Sequence, residues 1–219
     1  MTDIIFDLGG VLLDLDRVAM QQAFIQLGIK PEMFFVKADE NNTSTVCEGI
    51  SAGKLITDYQ IGRMTTAQFL SLVRRQCADG ISDERIINAW NACLCNIPKK
   101  RLDLIKSLRA KGYGTHLLSN NNDLHWEDIK RRCLSDAGYT CTDLFDHVFV
   151  SHEVHLAKPD LAIYHHAVSV IGHPADQCFF IDDAQVNVDA ARRAGLQSAW
   201  LDIDRKGHLS HILSQFLQA

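Results

Sequence analysis

The sequence predicts an α/β fold: a Rossmann-like parallel sheet with helices on both faces, plus an inserted all-helical cap. Three observations carry this. Beyond Pro98, short apolar runs of strand length alternate with amphipathic segments of helical period, the pattern of a parallel sheet whose crossovers are helices. Between Arg17 and about Cys95 the period is helical alone, so about eighty residues separate the first strand from the rest. Several apolar runs stop on a carboxylate, a hydroxyl or an amide, the groups an open sheet presents beyond the carboxyl ends of its strands. The expected division is a core of residues 1–16 and 97–219 and a cap of residues 17–96.

Ile4-Ile5-Phe6 is an apolar run stopped by Asp7 and by Gly9-Gly10, a buried strand entering a turn. In the cap, Val18, Phe24 and Leu27 are expected to share one helix face, with Gly28 ending the helix. Thr65-Thr-Ala-Gln68 is a capping box ahead of Phe69, Leu70 and Val73. Ser82-Asp-Glu opens a helix carrying Ile86, Ile87 and Trp90. No strand is expected in this stretch. Leu102, Ile105 and Leu108 then mark a helix ending at Gly112, and Thr115-His-Leu-Leu118 a strand running into Ser119-Asn-Asn-Asn. A helix from about Leu124 to Leu134, a strand at His147–Val150 and a helix at Asp160–Val170 follow. Cys178-Phe-Phe-Ile181 is a strand ending on Asp182-Asp183, and the next helix stops at Ala194-Gly195. Ser198-Ala-Trp-Leu201 is the last strand, and a weak helix, His208 to Leu217, closes the chain.

Composition narrows the function. The 219 residues are 47% hydrophobic and 22% charged, ordinary values for a globular protein. Lys plus Arg number 22 against 27 Asp plus Glu, a net charge of −5, and no long basic run occurs; a nucleic-acid partner is therefore not expected. No apolar stretch approaches the ~20 residues that span a bilayer, so no membrane partner is expected. The start, Met1-Thr-Asp-Ile-Ile-Phe6-Asp7, lacks the basic and long apolar regions of a signal peptide. The seven cysteines are scattered and none forms C-x-x-C; Cys93 and Cys95 make one C-x-C with no second pair at zinc-ligand spacing. They read as reduced thiols, and the expected compartment is the cytoplasm. The ten histidines read as surface or satisfied core residues. Oligomeric state has no signal here.

The strand ends carry the chemistry. They deliver Asp7, then Ser119 and Asn120, then Lys158 in the loop beyond the third strand, then Asp182 and Asp183. Clustered carboxylates raise one another's pKa unless a cation sits among them. An all-oxygen ligand set suits Mg²⁺, which completes its shell with water and substrate phosphate. A lysine and small donors nearby suit the remaining phosphoryl oxygens.

Phe6-Asp7-Leu8-Gly9-Gly10-Val11, Leu117-Leu118-Ser119-Asn120, Lys158-Pro159 and Phe180-Ile181-Asp182-Asp183 resemble the four motifs of the haloacid dehalogenase superfamily, in that family's order. The helical insert resembles its C1 cap. Tyr59-Gln60-Ile61-Gly62 and Thr66-x-x-Phe69 resemble a cap segment of the subgroup containing bacterial glucose-1-phosphate phosphatase. The resemblance implies a Mg²⁺-dependent phosphomonoesterase acting on a small phosphorylated metabolite, a sugar phosphate among the candidates. It implies Asp7 as nucleophile and metal ligand, with the Gly9 carbonyl and Asp183 as further ligands. Ser119 and the backbone N–H of Asn120 would hold the phosphoryl group, and Lys158 would offset its charge. Asp182 would orient Lys158 or the metal's waters, and Asn187 would support the metal carboxylates.

One position departs from the pattern. Most phosphatases of that family carry a second aspartate two residues after the nucleophile, as acid and base; this chain has Gly9. Asp14 and Asp16 are the nearby substitutes, read first as solvated or capping residues. Tyr59, Gln60 and Trp90 read as packing rather than substrate contacts. Two other readings stand beside the phosphatase. One is a catalytically weak module that binds phosphorylated ligands or is regulatory, favoured by Gly9. The other is a 2-haloacid dehalogenase, whose metal-free attack on carbon leaves the Asp182-Asp183 pair unexplained.

Overall fold

The computed structural model of the chain describes residues 3–30, 45–47, 50–202 and 209–217. Strand β1 (Asp3–Phe6) is followed by α1 (Arg17–Gln26), the short strands β2 (Thr45–Cys47) and β3 (Ile50–Ser51), and helices α2 (Ala52–Gln60), α3 (Thr66–Arg74) and α4 (Asp83–Asn91). Then come α5 (Lys99–Ala110), β4 (Gly114–Ser119), α6 (Asp123–Asp128), α7 (Cys141–Leu144), β5 (His147–Val150), α8 (Ser151–Val154) and α9 (Leu161–Ile171). The last elements are β6 (Cys178–Asp182), α10 (Gln185–Arg193), β7 (Gln197–Trp200) and α11 (Leu209–Leu217). His208, expected to open the last helix, lies outside the described residues.

β1 is the central strand of a five-stranded sheet of order β5-β4-β1-β6-β7, parallel throughout. Alternate residues feed opposite faces. Ile4, Phe6, Leu117, Phe179 and Ile181 enter one core with α5 and the Trp126–Leu134 segment. Ile5, Leu118, Cys178 and Phe180 enter the other with α9 and α10. Both faces are covered, which is why these strands read as unbroken apolar runs.

The insert has its own core of Phe24, Leu27, Leu55, Tyr59, Phe69, Val73, Ile86 and Trp90. Tyr59 stacks on Phe69 with ring centroids 4.3 Å apart. The Thr65 capping box is present, with Ser82 capping α4. Three details depart from the sequence reading. Val18 is 58% exposed; the apolar face of α1 instead runs through Met20, Phe24 and Leu27 at the i, i+4, i+7 spacing, which Val18 does not share. The insert is not wholly helical, since β2 and β3 pair antiparallel; strands this short show no alternation to detect. The helix after β4 is α-helical only to Asp128 and continues as a π-helical stretch, Ile129–Leu134.

The insert is fastened to the loop beyond β4. Trp90 Nε1–H donates to Asn122 Oδ1 at 3.1 Å, and His125 Nε2 lies 3.0 Å from the Trp90 carbonyl. The Leu124 N–H donates to Tyr59 Oη at 3.2 Å. The buried Ser151 hydroxyl accepts the Asn121 N–H at 2.8 Å and donates to the Gln60 carbonyl at 2.5 Å.

Candidate active site

The register of the sheet assembles the site. Phe6 pairs with Leu117 on one side and Ile181 on the other. Asp7, one residue on, therefore stands level with Asp182, and its N–H donates to the Ile181 carbonyl at 2.9 Å. Ser119 ends β4 one residue beyond that level. Lys158 reaches in from the loop before α9. Its Nζ donates to Asp7 Oδ1 and to Asp182 Oδ2, both at 2.7 Å. All three of these side chains are buried.

Asp182 is fully used. Its Oδ1 accepts the Ala184 N–H at 2.8 Å, and Asn187 Nδ2 lies 3.0 and 3.1 Å from its two oxygens. It thus holds Lys158 from below. Asn120 clamps the same lysine from its backbone: Asn120 Nδ2 donates to the Lys158 carbonyl at 2.8 Å, and the Lys158 N–H donates to Asn120 Oδ1 at 2.9 Å. The Asn120 side chain is thereby committed, which leaves its backbone N–H for a ligand. Asp183 is half-buried, and its carbonyl accepts the Trp200 indole N–H at 2.8 Å.

One carboxylate oxygen from each of Asp7, Asp182 and Asp183 lies within 4.8 Å of the others. Three carboxylates thus face one ammonium. Burial pushes the Asp7 carboxyl up; Lys158 opposes this and Asp182 adds to it, leaving it at about 7. Burial and then Asp182 raise Asp183 as well. Burial pulls Lys158 down, but the Asp7 and Asp182 charges outweigh it and hold its ammonium above the usual lysine range. The cluster is short of positive charge. Because Asp182 is saturated, Asp7 and Asp183 are the carboxylates left to receive a hard cation.

A cavity of about 530 Å³ opens over these groups, between sheet and insert. Asp7, Gly9, Ser119, Asn120, Lys158, Asp183 and Asn187 all line it, and Asp182 lies fully buried beneath. Asp14 and Asp16 do not line it. Asp14 Oδ1 pairs with Arg101 Nη1 at 2.7 Å, and Asp16 Oδ1 caps α1 by accepting the Ala19 N–H at 2.9 Å. Tyr59 is a packing residue; Gln60 and Trp90, read as packing rather than substrate contacts, also form part of the cavity wall. Sequence reasoning missed Arg17, Met20, Ile56, His125 and Ile129 in that wall. Their i, i+3 and i, i+4 spacings within helices were visible, but not which face the docked insert would turn toward the sheet.

Comparison with known proteins agrees with this geometry. A family model for haloacid dehalogenase-like hydrolases matches residues 4–195. A D-ribitol-5-phosphate phosphatase from Bacteroides thetaiotaomicron is 26% identical over 196 residues, covering 90% of this chain and 89% of that protein. A sesquiterpene phosphatase from Aspergillus oryzae is 31% identical over 105 residues, covering 47% of this chain and 50% of that one. A crystal structure of a haloacid dehalogenase family enzyme from Bacteroides thetaiotaomicron, in complex with magnesium and inorganic phosphate, superposes with a TM-score of 0.83 at 28% identity, covering 97% of this chain and 98% of the other. The family match runs from β1 to the end of the helix behind β6, so every residue that lines the cavity falls inside it, and this chain belongs to the haloacid dehalogenase-like hydrolases.

Proposed function

We propose that the chain is a Mg²⁺-dependent phosphomonoesterase that hydrolyses a small phosphorylated metabolite through an aspartyl phosphate on Asp7. The observation that carries this is the Lys158 ammonium, 2.7 Å from both Asp7 and Asp182, on the floor of a cavity that also takes in Ser119 and Asp183. A similar protein that crystallised with magnesium and inorganic phosphate supports it. The donor set fits the ion: oxygens only, with two carboxyls whose raised pKa values mark unbalanced negative charge.

Asp7, the Gly9 carbonyl and Asp183 would hold Mg²⁺, which supplies positive charge against the phosphoryl oxygens when bound. Lys158 orients the Asp7 carboxylate through Oδ1 and offsets charge on the incoming phosphate. Asp182, braced by Asn187 and the Ala184 N–H, keeps that lysine protonated and in place. An Asp7 oxygen forms a bond to phosphorus as the bond from phosphorus to the leaving oxygen breaks. Ser119 and the Asn120 N–H hold the transferring group. Water then attacks phosphorus, releasing inorganic phosphate and restoring the carboxylate. Six described cysteines are free thiols, while the side chain of Cys47 lies outside the described residues; no described helix is long and apolar enough to cross a membrane. The free thiols support a reducing, cytoplasmic location.

The test is a panel of phosphorylated metabolites assayed for phosphate release with Mg²⁺ and again with EDTA. Release is expected with the metal only. Asp7→Asn is expected to lose essentially all turnover while still folding; activity within tenfold of the unmodified protein would remove Asp7 from the mechanism.

A further inference from the structure

Resting on the phosphomonoesterase reading, we propose that the substrate is the phosphate ester of an acidic, aryl-type hydroxyl on a mainly apolar body. The first ground is the proton balance. When the bond from phosphorus to the leaving oxygen breaks, that oxygen carries the electron pair. An alkyl alkoxide needs a proton from the wall at that moment; a phenolate leaves without one. A positioned acid contributes roughly 10²–10⁴ in rate.

The described wall holds no such acid. Its ionisable groups are Asp7, Arg17, Cys93, His125, Lys158 and Asp183. Asp7 is the attacking group, Asp183 stands beside it, and Lys158 is held by two carboxylates. Both ring nitrogens of His125 are engaged, Nε2 with the Trp90 carbonyl and Nδ1 with Asn122 Nδ2 at 3.1 Å, and burial holds the ring down to about 4, so it is neutral. The Cys93 thiol donates to the Trp90 carbonyl at 3.6 Å, and burial pushes it up to about 11, which makes it a poor acid; a guanidinium keeps its protons. The place of an acid two residues after Asp7 is taken by hydrocarbon: a Cβ on Gly9 would lie 3.0 Å from Leu15 Cδ1. Asp14 and Asp16 are turned to Arg101 and to the α1 cap.

The second ground is the rest of the wall. Leu15, Met20, Ile56, Trp90, Leu94 and Ile129 line it, with Gln60 and Arg17 as polar groups on the insert side. The Trp90 N–H is already committed to Asn122. Hydroxyls of a polyol buried against this surface without partners would lose their water and gain nothing in return, whereas an apolar body gains from the same contact. The kinship leaves the body open, since one named relative is a ribitol-5-phosphate phosphatase and another a sesquiterpene phosphatase; neither name carries an aryl hydroxyl, so the leaving group rests on the wall alone.

The experiment compares phenyl phosphate, benzyl phosphate and ribitol 5-phosphate by kcat/KM with Mg²⁺. Phenyl and benzyl share an apolar body and differ in the acidity of the leaving hydroxyl; benzyl and ribitol share an alkyl leaving group and differ in the body. Phenyl is expected to exceed benzyl by about 10²–10⁴, and benzyl to exceed ribitol. Phenyl and benzyl within tenfold of each other, or ribitol ahead of benzyl, would overturn the inference and leave the phosphatase reading standing. No turnover of any of the three, nor of any metabolite in the panel, would overturn both. Gly9→Asp combined with Leu15→Ala supplies a carboxyl and room for it. Gly9 is not in the left-handed region, so the backbone accepts the side chain. A rise in benzyl relative to phenyl turnover supports the inference, and an unchanged ratio in the folded variant counts against it. The comparison on the unmodified protein decides the matter if that variant does not fold.

Discussion

At the proposed site, a proton and Mg²⁺ would compete for the Asp7 carboxylate. Burial, opposed by Lys158, leaves Asp7 at about 7 rather than the ordinary 3.8. Its proton is therefore retained through the range where other carboxylates have lost theirs, and only the ionised form would receive the Mg²⁺ of the proposed site. The sign follows. A carboxyl raised in the fold favours the protonated, metal-free protein at low pH, and that contribution to stability is lost as pH rises through about 7. Above that pH the uncompensated charge awaits the cation. Apparent affinity should be nearly constant above pH 8 and weaken about tenfold per pH unit well below 7, so by about 100-fold at pH 5, or about 2.7 kcal/mol. Titration calorimetry with Mg²⁺, repeated in buffers of different ionisation enthalpy, should show nearly one proton released per ion at pH 6. Thermal stabilisation by a fixed Mg²⁺ concentration should grow over the same interval. Lys158→Ala removes the one cation opposing the rise, so the midpoint should move upward. A dissociation constant independent of pH between 5 and 8, with no proton released, would refute the reasoning.

Three further outcomes follow from the same contacts. Lys158→Ala should lower the rate by about 10²–10³, mainly in kcat, as expected for loss of one preorganised charge contact; steady-state kinetics on any turned-over phosphate ester checks it. Asp182→Ala strips the Lys158 ammonium of one of its two partners and leaves the Asn187 amide without its acceptor. It should cost about 3–5 kcal/mol in urea unfolding, the range for breaking a buried pair by removing one member. Burial holds His125 down to about 4, below the ordinary 6.5. The stability this contributes is present above 6.5 and lost as pH falls toward 4, by roughly 3 kcal/mol. His125→Gln should therefore show a flatter dependence of stability on pH over that window.

The strands were legible because both faces of this sheet are covered: Ile4-Ile5-Phe6 and Cys178-Phe-Phe-Ile181 are apolar without a break and stop where the carboxylates begin. For the same reason Asp7, Ser119, Lys158, Asp182 and Asp183 could be named in order along the chain. What each does to the others depends on register, which is a relation between strands that no single segment carries. Asp182 and Asp183 were distinguished only through the family resemblance; the physical difference is that Asn187 and the Ala184 N–H occupy the Asp182 oxygens. The Asn120 amide, so placed that it could have faced a phosphate, instead fixes the Lys158 backbone. The insert was readable as helices but not as a wall, since the angle at which Trp90 and Ile56 meet the sheet comes from docking. Leu15 in the space beside Gly9 had no sequence signal at all.

The bonds from Tyr59, Gln60 and Trp90 to the loop beyond β4 and to Ser151 bear on how this chain could be recombined with its kin. Exchange of the insert as a module would cut at the two boundaries expected from the sequence, near residues 16 and 97. Here such a graft would carry away the Trp90 donor of the Asn122 contact and the Gln60 acceptor of the Ser151 contact, leaving Asn122 on the very loop that presents Ser119 and Ser151 hydrogen-bonded to that loop. A foreign insert would orphan buried polar groups next to the cavity, and the loop would be free to shift. A transplant that preserves the pocket must therefore take residues 121–125 and Ser151 along with the insert, so that the heritable unit is discontinuous in sequence though continuous in space.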